Sequence, residues 1–284
     1  MSLENVSQEL RKVLYLNMDA DLLQWLEEKK DVVIGNRSPK DLYMTYSLMA
    51  SKINSGGNVK MPSDQNSVMQ YLETQKADLL QISRVYLLIN VLEADEDFFF
   101  DKVANIIQVS DTGELETFLK FLVLMPNSGS YKNVAVEALR TNIATIFDAI
   151  SLNNPYPAAF FNDQQWNQMY LKAAFMGRNL SAIMDIDARA NKDLTRIISD
   201  YAHERWAASR SVDPYFWRPV GNFINDSILD DMRRLFQSDN EKENLAAALS
   251  CSISDHSEAK ELLNNYPQIK KKIDQGLITW NNIN

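Results

Sequence analysis

The stretch from residue 162 to residue 176, NDQQWNQMYLKAAFM, contains the signals that determine the fold class of this chain. Asn162 is a favourable residue to cap a helix, and Gln165 follows it at the spacing of a capping box, so the pattern predicts a helix over 163–176. Apolar side chains then occupy almost every side of that helix. A helix without a wide polar face is usually buried, so we expect this helix to lie in the interior.

Similar helix starts recur along the whole chain. Ser38 and Asp213 each precede a proline, which places a good cap before the residue type that is well tolerated in the first helical turn. Capping-box spacing, or a close relative of it, also occurs in Asp111 with Glu114, Ser238 with Glu241, and Asp255 with Glu258. Only eight glycines and eight prolines interrupt 284 residues, which disfavours a turn-rich β fold. The sequence therefore predicts an all-α protein.

The start signals also predict the helix boundaries. The predicted helices span 3–28, 39–53, 64–93, 97–109, 114–125, 131–150, 163–176, 190–209, 214–224, 227–237, 240–251, 255–264 and 267–274. From about residue 97 onward, short helices alternate with short connections, as in α-solenoids. We expect an irregular α–α superhelix of HEAT-like stacked antiparallel helices, with a compact irregular bundle as the alternative. The chain is predicted to form one elongated domain over 1–284, which allows a subdivision into 1–152 and 153–284.

The charge balance indicates which partners are favoured. The chain carries 38 acidic and 29 basic residues, a formal net charge of −9. Such a surface repels phosphate backbones and anionic lipids at long range, so a nucleic-acid partner is disfavoured. The most continuous apolar stretch, Phe118 to Met125, is far too short to cross a bilayer. We predict neither membrane insertion nor a signal peptide, and the cytoplasm is the expected location.

The sequence contains no recognisable catalytic or metal-binding set. His203 and His256 are its two histidines, and neither has neighbouring ligands at the spacing that a transition-metal site needs. The single cysteine excludes an intrachain disulfide and a cysteine zinc cluster. A glycine-rich phosphate loop and a Gly-x-Ser-x-Gly elbow are also missing. We therefore predict no catalytic residue, no metal and no cofactor.

The segment 190–209 contains the residues with the most potential for chemistry. An apolar stripe runs along this predicted helix, and Arg205 falls near its centre. A guanidinium there needs a carboxylate or carbonyl partner, since an unpaired buried charge costs roughly 3–5 kcal/mol. For Arg205 we favour a buried salt bridge between two helices, with a bound anionic or carbonyl-bearing ligand as the alternative. His203 lies on the opposite side beside Asp200, where a surface hydrogen bond is favoured over general-base catalysis.

Aromatic side chains are dense around this segment. Trp166, Trp206 and Trp217 lie close together in the sequence, and such density is more often core packing than a ligand site. Aromatic walls with a few polar groups nevertheless hold flat organic molecules. Lys172 is a polar exception on the apolar helix 163–176, and it either reaches solvent by extending its aliphatic chain or lines a pocket.

The same region resembles a known family. The resemblance rests on Asn154-Pro155-Tyr156-Pro157-Ala158, Trp166-Asn167-Gln168-Met169, Leu171-Lys172-Ala173, Phe175-Met176-Gly177, Asp187-Ala188-Arg189-Ala190-Asn191, Asp200-Tyr201-Ala202-His203-Glu204-Arg205-Trp206-Ala207-Ala208 and Trp217-Arg218. Over about 154–221 these runs are similar to the EboA family. Two departures are visible: Ser209 stands where glycine is expected before Arg210, and the connection from Gly177 to Leu180 is shortened.

The resemblance implies a role in metabolite traffic. Members of the EboA family are encoded in bacterial clusters for secondary metabolism and are associated with moving an aromatic or polyene-type metabolite, or its precursor, out of the cytoplasm. Cluster-encoded membrane proteins and enzymes are the implied protein partners. The family supplies no established catalytic residues. We therefore expect a non-enzymatic helical binding or adaptor protein for a hydrophobic or aromatic small metabolite.

Residues within 154–221 are the candidates for contact with that ligand or partner. They are Trp166, Asn167, Lys172, Arg189, Asn191, His203, Glu204, Arg205, Trp217 and Arg218. Two other functions stay open. An enzyme acting on a hydrophobic aromatic metabolite would use His203 or Glu204 as acid or base beside Arg205 and Lys172. A pure structural scaffold would use the same side chains as buried braces, whereas a ligand site requires several of them to converge on one open pocket.

Overall fold

The computed structural model describes residues 5–64 and 66–283. The chain is 72% helical, with 17 α-helices and no strand among the described residues, which confirms the all-α prediction. Its contacts divide it into two compact units, Met1–Tyr156 and Pro157–Asn284. The elongated HEAT-like superhelix stays a prediction. None of the described helices combines the length and the apolar character needed to cross a membrane.

The first unit is built around one buried helix. Its described helices are α1 (Val6–Asn17), α2 (Ala20–Asn36), α3 (Pro39–Lys52), α4 (Ser67–Thr74), α5 (Leu79–Ala94), α6 (Glu96–Ala104), α7 (Ile106–Val109), α8 (Thr112–Lys120), α9 (Lys132–Ala138) and α10 (Ala144–Ser151), with 3-10 turns at Leu122–Leu124 and Ser128–Tyr131. The α5 helix contacts α1, α2, α3, α6 and α8, and most of its side chains are buried. This helix is therefore the centre of the first core.

Two long helices predicted in the first unit are each divided in the structure. The predicted helix 3–28 corresponds to α1 and α2, because Asp19 starts a new helix by accepting a hydrogen bond from the backbone nitrogen of Leu22 (2.8 Å). The predicted start at Leu3 lies outside the described residues. The predicted helix 64–93 corresponds to α4 and α5, since a capping box begins α5.

Three further predictions for the first unit also cover more than one element. The range 97–109 contains most of α6 and all of α7, 114–125 contains most of α8 and a 3-10 turn, and 131–150 contains α9 and most of α10. The apolar spacing continues across these short breaks, so the pattern alone does not reveal them.

The second unit agrees closely with its predicted boundaries. The short helix α11 (Tyr156–Phe160) lies at the division, followed by α12 (Asp163–Phe175), α13 (Lys192–Ala207), the 3-10 helix Pro214–Phe223, α14 (Asp226–Phe236), α15 (Glu241–Ser252), α16 (Ser257–Asn264) and α17 (Pro267–Asp274), with 3-10 turns at Leu180–Ala182 and Trp280–Asn282. The prediction 214–224 is a 3-10 helix rather than an α-helix, and Pro219 lies inside it.

Most of the predicted helix caps are present. Capping boxes form at Asp111 with Glu114 and at Asn162 with Gln165, and Ser38 and Asp213 cap the helices that follow them. The caps predicted at Ser238 and Asp255 are wrong. Asn240 caps α15 by accepting from the backbone nitrogen of Lys242 (3.1 Å), while His256 holds the cap position of α16 without a side-chain bond.

The 3-10 helix Pro214–Phe223 lies in the interior of the second unit and positions the aromatic residues discussed below. It packs against α15 and α13, and Trp217 is fully buried. Gly221 permits the close approach of α15, because a Cβ atom there would lie 2.7 Å from the carbonyl oxygen of Ser250. Close backbone packing therefore holds Trp217 in place.

Candidate functional site

The predicted contact residues occupy several separate places in the second unit. Asn167 and Asn191 join α12 to the start of α13. Their side-chain amides exchange two hydrogen bonds of 3.0 and 2.9 Å. Oδ1 of Asn191 also accepts from the backbone nitrogen of Leu194 (2.8 Å) and so caps α13. Asn167 is buried, and the two side-chain amides satisfy each other's hydrogen-bonding groups.

Arg189 holds the segment that precedes α12. Its guanidinium donates to the carbonyls of Ala158 (2.7 Å) and Phe161 (2.8 Å) and to Oδ1 of Asp163 (3.2 Å). It also lies 5.1 Å from the ring of Trp166, which is buried and whose Nε1 has no hydrogen-bond partner among the described residues. Most N–H donors of Arg189 are therefore already used in hydrogen bonds within the fold, so few of them remain for a ligand.

Arg218 forms a bidentate ion pair with Asp187. The two hydrogen bonds are 2.8 Å and 2.6 Å long, and a third runs from Arg218 to the hydroxyl of Tyr215. The hydrogen bond to Asp187 stabilises the charged guanidinium and raises the pKa of Arg218 above its ordinary value. This arrangement ties the 3-10 helix Pro214–Phe223 to the segment before α13.

The α12 helix is less buried than expected. Phe175 is 74% exposed, so the expectation that the whole helix lies in the interior is wrong. Lys172 on the same helix is half-buried, and burial lowers the pKa of its ammonium group. Glu204 lies exposed on α13.

An open cleft lies at the C-terminal end of α13, close to three of the predicted residues, His203, Arg205 and Trp217. Its volume is about 560 Å³. The residues that line it are Trp206, Ser211, Arg234, Gln237, Ser238, Asp239 and Glu243. The walls therefore come from the end of α13, the loop that follows it, the end of α14 and the start of α15.

Three side chains form a stack that runs from the core to this cleft. Trp217 is 0% exposed, and the ring of Trp206 is stacked on it with centroids 5.8 Å apart and planes inclined by 17°. The guanidinium carbon of Arg234 lies 4.2 Å from the centre of the Trp206 ring. Arginine is the cation best suited to stack on an aromatic face. The buried Trp217 thus supports a Trp206–Arg234 contact at the surface.

His203 is held beside the stack by a buried carboxylate. Its Nε2 atom lies 2.6 Å from Oδ1 of Asp231, and Oδ2 of Asp231 accepts a hydrogen bond from Oγ of Ser199 (2.6 Å). Asp231 is 2% exposed. An ionised carboxylate only accepts hydrogen bonds, so Nε2 of His203 is the donor. The imidazole also lies 5.5 Å from the ring of Trp206.

The hydrogen bond expected between His203 and Asp200 is wrong. Asp200 instead pairs with Arg196, one turn earlier on α13, at 2.8 Å. Asp231 on α14 has the stronger need for a partner, because a carboxylate removed from water is costly unless it is hydrogen-bonded. The imidazole therefore turns toward the neighbouring helix rather than along its own.

The buried salt bridge predicted for Arg205 is also wrong. Its Nε and Nη2 atoms donate to the carbonyl oxygen of Ser211 at 3.1 and 2.9 Å. The side chain is half-exposed and lies over the ring of Tyr201. A carbonyl oxygen rather than a carboxylate is therefore the partner of the Arg205 guanidinium. Because Ser211 lines the cleft, Arg205 positions part of the cleft wall.

None of the seven residues that line the cleft is among the candidates from the sequence, and Asp231 behind the cleft is also missing from them. Trp206 was included only in the aromatic group, while Asp231 and Arg234 follow the stretch that carries the family resemblance. A signal for Asp231 was present: its neighbours on the buried face of α14, Ile228 and Met232, are apolar. A carboxylate on such a face requires a partner. No comparable local signal identifies Arg234.

A second groove in this unit is larger and has one aromatic residue, Phe223, among the residues that line it. It encloses about 620 Å³ between the first half of α13 and residues 222–228. Lys192, Arg196 and Asp200 lie on its wall, and the last two already form an ion pair. No stacked pair of rings lines this groove in the described part of the chain. The cleft beside Trp206 is therefore the candidate site.

Comparison with known proteins assigns the family. The family model described as "Metabolite traffic protein EboA" matches residues 6–221. The match thus begins far ahead of the stretch 154–221 that carries the resemblance in the sequence, and it ends before α14. No curated protein and no solved structure matches the chain. Because the family match covers well over half of its length, the chain belongs to the EboA family of metabolite traffic proteins.

Proposed function

We propose that this protein binds a hydrophobic or aromatic small metabolite in the cleft beside Trp206 and takes part in its traffic as a non-enzymatic binding or adaptor protein. The observation that carries the proposal is the stack of Trp217, Trp206 and Arg234 at the wall of that cleft. Membership of a metabolite traffic family supports the traffic role.

The dimensions and chemistry of the cleft suit a small ring system. A volume of about 560 Å³ falls within the range of ordinary ligand pockets, roughly 300–1,000 Å³. A flat ligand would lie against the outer face of the Arg234 guanidinium or replace that guanidinium on Trp206. Either contact uses the attraction between a cation and a ring or between two rings. The buried Trp217 keeps Trp206 in place, so little conformational freedom is lost on binding.

The proposed partners follow from the family and from the position of the cleft. Arg234 and Asp239 are exposed, so a ligand bound beside them would be reachable by a second protein. We propose that cluster-encoded membrane proteins or enzymes deliver or receive the metabolite there. Location in the cytoplasm and the absence of catalysis belong to the same proposal.

Native mass spectrometry of protein purified from its own host tests the proposal. We expect a small molecule to accompany the wild-type protein and to be lost from Trp206→Ala. Trp280→Ala is the matched control, because Trp280 is also a half-exposed tryptophan of the second unit but contacts Tyr215 instead of the cleft. Equal retention of the small molecule by the two variants would refute the assignment of the cleft.

One observation favours a second function, catalysis on the bound metabolite. The pairing of His203 with the buried Asp231 resembles the way a carboxylate orients a general base. Glu204 on the same helix is exposed, and it is the alternative acid or base. Incubating the purified complex distinguishes the two functions. A mass change of the bound molecule with wild-type protein but not with His203→Gln would favour an enzyme, whereas an unchanged mass supports the binding protein.

A further inference from the structure

We infer that the cleft selects flat aromatic ligands that carry hydrogen-bond donors, such as hydroxyl or amine groups, and disfavours rings that carry a carboxylate or phosphate. This inference rests on the proposed function and specifies the chemical class of its ligand. It depends on which polar groups line the cleft and on which of them are already occupied.

Two of the lining residues are carboxylates, Asp239 and Glu243, and Arg234 is the one lining cation among the residues described for the cleft. The Arg234 guanidinium forms no ion pair with either carboxylate, and neither carboxylate has a side-chain partner among the described residues. Carboxylates can only accept hydrogen bonds. A ligand that satisfies them must therefore bring hydrogen-bond donors.

The charged groups just behind the lining leave this balance unchanged. Arg205 is near Ser211, but two of its N–H groups are directed at that residue's carbonyl oxygen. Asp231 is buried and paired with His203, and it is not one of the residues that line the cleft. Like charges at close range repel, and the residues that line the cleft include two carboxylates and one cation. The net negative charge of the lining therefore disfavours an acidic ligand.

The remaining lining residues do not reverse the preference. Gln237, Ser211 and Ser238 can each donate or accept, so they accommodate polar substituents of either kind. The guanidinium carbon of Arg234 lies 4.2 Å from the centre of the Trp206 ring, and the N–H groups of this guanidinium can donate to an acceptor on the ligand. A phenol or an aromatic amine fits both requirements.

Three probes that share one ring and one phenolic hydroxyl test the inference. They are tyramine with an ammonium group, tyrosol without a charge, and 4-hydroxyphenylacetate with a carboxylate. Binding to the full-length protein is measured by NMR titration at low ionic strength. Because the two charged probes differ by two unit charges, we expect 4-hydroxyphenylacetate to bind at least about tenfold more weakly than tyramine, with tyrosol between them.

Neutral variants locate the source of the selectivity. In the double variant Asp239→Asn, Glu243→Gln, tyramine should lose its advantage over 4-hydroxyphenylacetate, since both carboxylates are removed and Arg234 remains as the lining cation. Glu241→Gln is the matched control, because Glu241 is an exposed acidic residue of the same segment that does not line the cleft. It should retain the preference for tyramine.

The outcomes separate this inference from the function on which it rests. If 4-hydroxyphenylacetate binds as tightly as tyramine and all binding is lost in Trp206→Ala, the charge preference is wrong and the aromatic cleft stands. If no probe binds, or if Trp206→Ala binds the probes as well as the wild type, the proposed function itself is overturned.

Discussion

The Nε2 atom of His203 and Oδ1 of Asp231 are 2.6 Å apart, and this contact joins α13 to α14 beside the cleft. The two ends of the contact differ in environment: the side chain of His203 is 58% exposed and that of Asp231 is 3% exposed. With the Ser199 hydroxyl on its other oxygen, the buried carboxylate is satisfied on both sides. The pair therefore stabilises the second unit whether or not a ligand is bound.

Replacing Asp231 tests that structural role. Asp231→Ala removes two hydrogen bonds to a charged group and leaves Ser199 without its acceptor, so we expect the free energy of unfolding to fall by about 2–3 kcal/mol. Denaturation in urea followed by circular dichroism measures the change. Asp230→Ala is the matched control, since Asp230 is the neighbouring aspartate but 75% exposed, and its loss should matter far less. Equal effects of the two substitutions would contradict the structural role.

Ser209 occupies a backbone conformation that favours glycine. Its φ is 54°, just after the end of α13, and the resemblance to the family also leads us to expect glycine there. Ser209→Gly should raise the free energy of unfolding by about 0.5–1 kcal/mol, because the left-handed conformation is strained for residues with a Cβ atom.

The reverse substitution at the end of α12 is the companion experiment. Gly177 has φ 63°, and no atom lies within 4 Å of the position its Cβ would take. Gly177→Ala should therefore lower the free energy of unfolding by about 1 kcal/mol through the backbone alone. A loss of stability in Ser209→Gly would show that the serine side chain has a role that its conformation does not reveal.

The helices of the second unit could be predicted closely because their signals are local. A capping residue, its partner three residues later and the following apolar spacing all lie within one turn, as at Asn162 and Gln165. The divided helices of the first unit were missed for the opposite reason. Asp19 and Asp78 each cap a new helix, but the apolar spacing continues across both breaks.

The site was less predictable, because it depends on which side chains meet between helices. Asn167, Asn191 and Arg189 are residue types suited to a ligand, yet the structure uses them within the fold. The two asparagines bond to each other and Arg189 bonds to the carbonyl oxygen of Phe161, since buried polar groups need partners. The cleft combines Trp206 on α13 with Arg234 on α14. Nothing in the spacing of these two residues reveals that their helices bring them together.

A buried ion pair does exist, but in the first unit rather than at Arg205. Arg84 and Glu114 are 4% and 5% exposed, and Nη2 of Arg84 lies 3.4 Å from Oε1 of Glu114. Arg84→Met should cost about 3–5 kcal/mol, because it leaves a buried carboxylate without its cation. Adding Glu114→Gln should recover part of that loss. The free energies of unfolding of the single and double variants measure the coupling, and strict additivity would contradict it.

Glu27 makes the stability of the first unit depend on pH. Partial burial by itself raises the pKa of Glu27, but hydrogen bonds from Lys30 and Tyr86 and the charges of Lys30 and Arg11 outweigh it, so the pKa is lower than usual. A lowered pKa in the folded state stabilises the protein above the unfolded-state pKa, about 4.3. That contribution is lost as the pH falls through the folded-state value.

Comparison with Glu27→Gln checks the sign of this effect. The wild type should exceed the variant in free energy of unfolding near neutral pH, and the difference should shrink as the pH falls below about 4. Glu28→Gln is the control, since Glu28 is the exposed neighbour. A difference that grows on acidification would show that Glu27 is not stabilised in its ionised form.

Cys251 should report the opening of the second unit. The thiol is fully buried in α15, and burial raises its pKa to about 12. Because the thiolate is the reactive species, N-ethylmaleimide should label the native protein very slowly at about pH 8 and the urea-unfolded protein rapidly.

The α15 helix packs against α14, so Asp231→Ala should accelerate native labelling by raising the population of the open state. Intact mass follows the reaction, since the chain has one cysteine. Fast labelling of the native wild type would contradict the burial of the thiol, and an unchanged rate in Asp231→Ala would mean that His203 and Asp231 do not hold α14 in place.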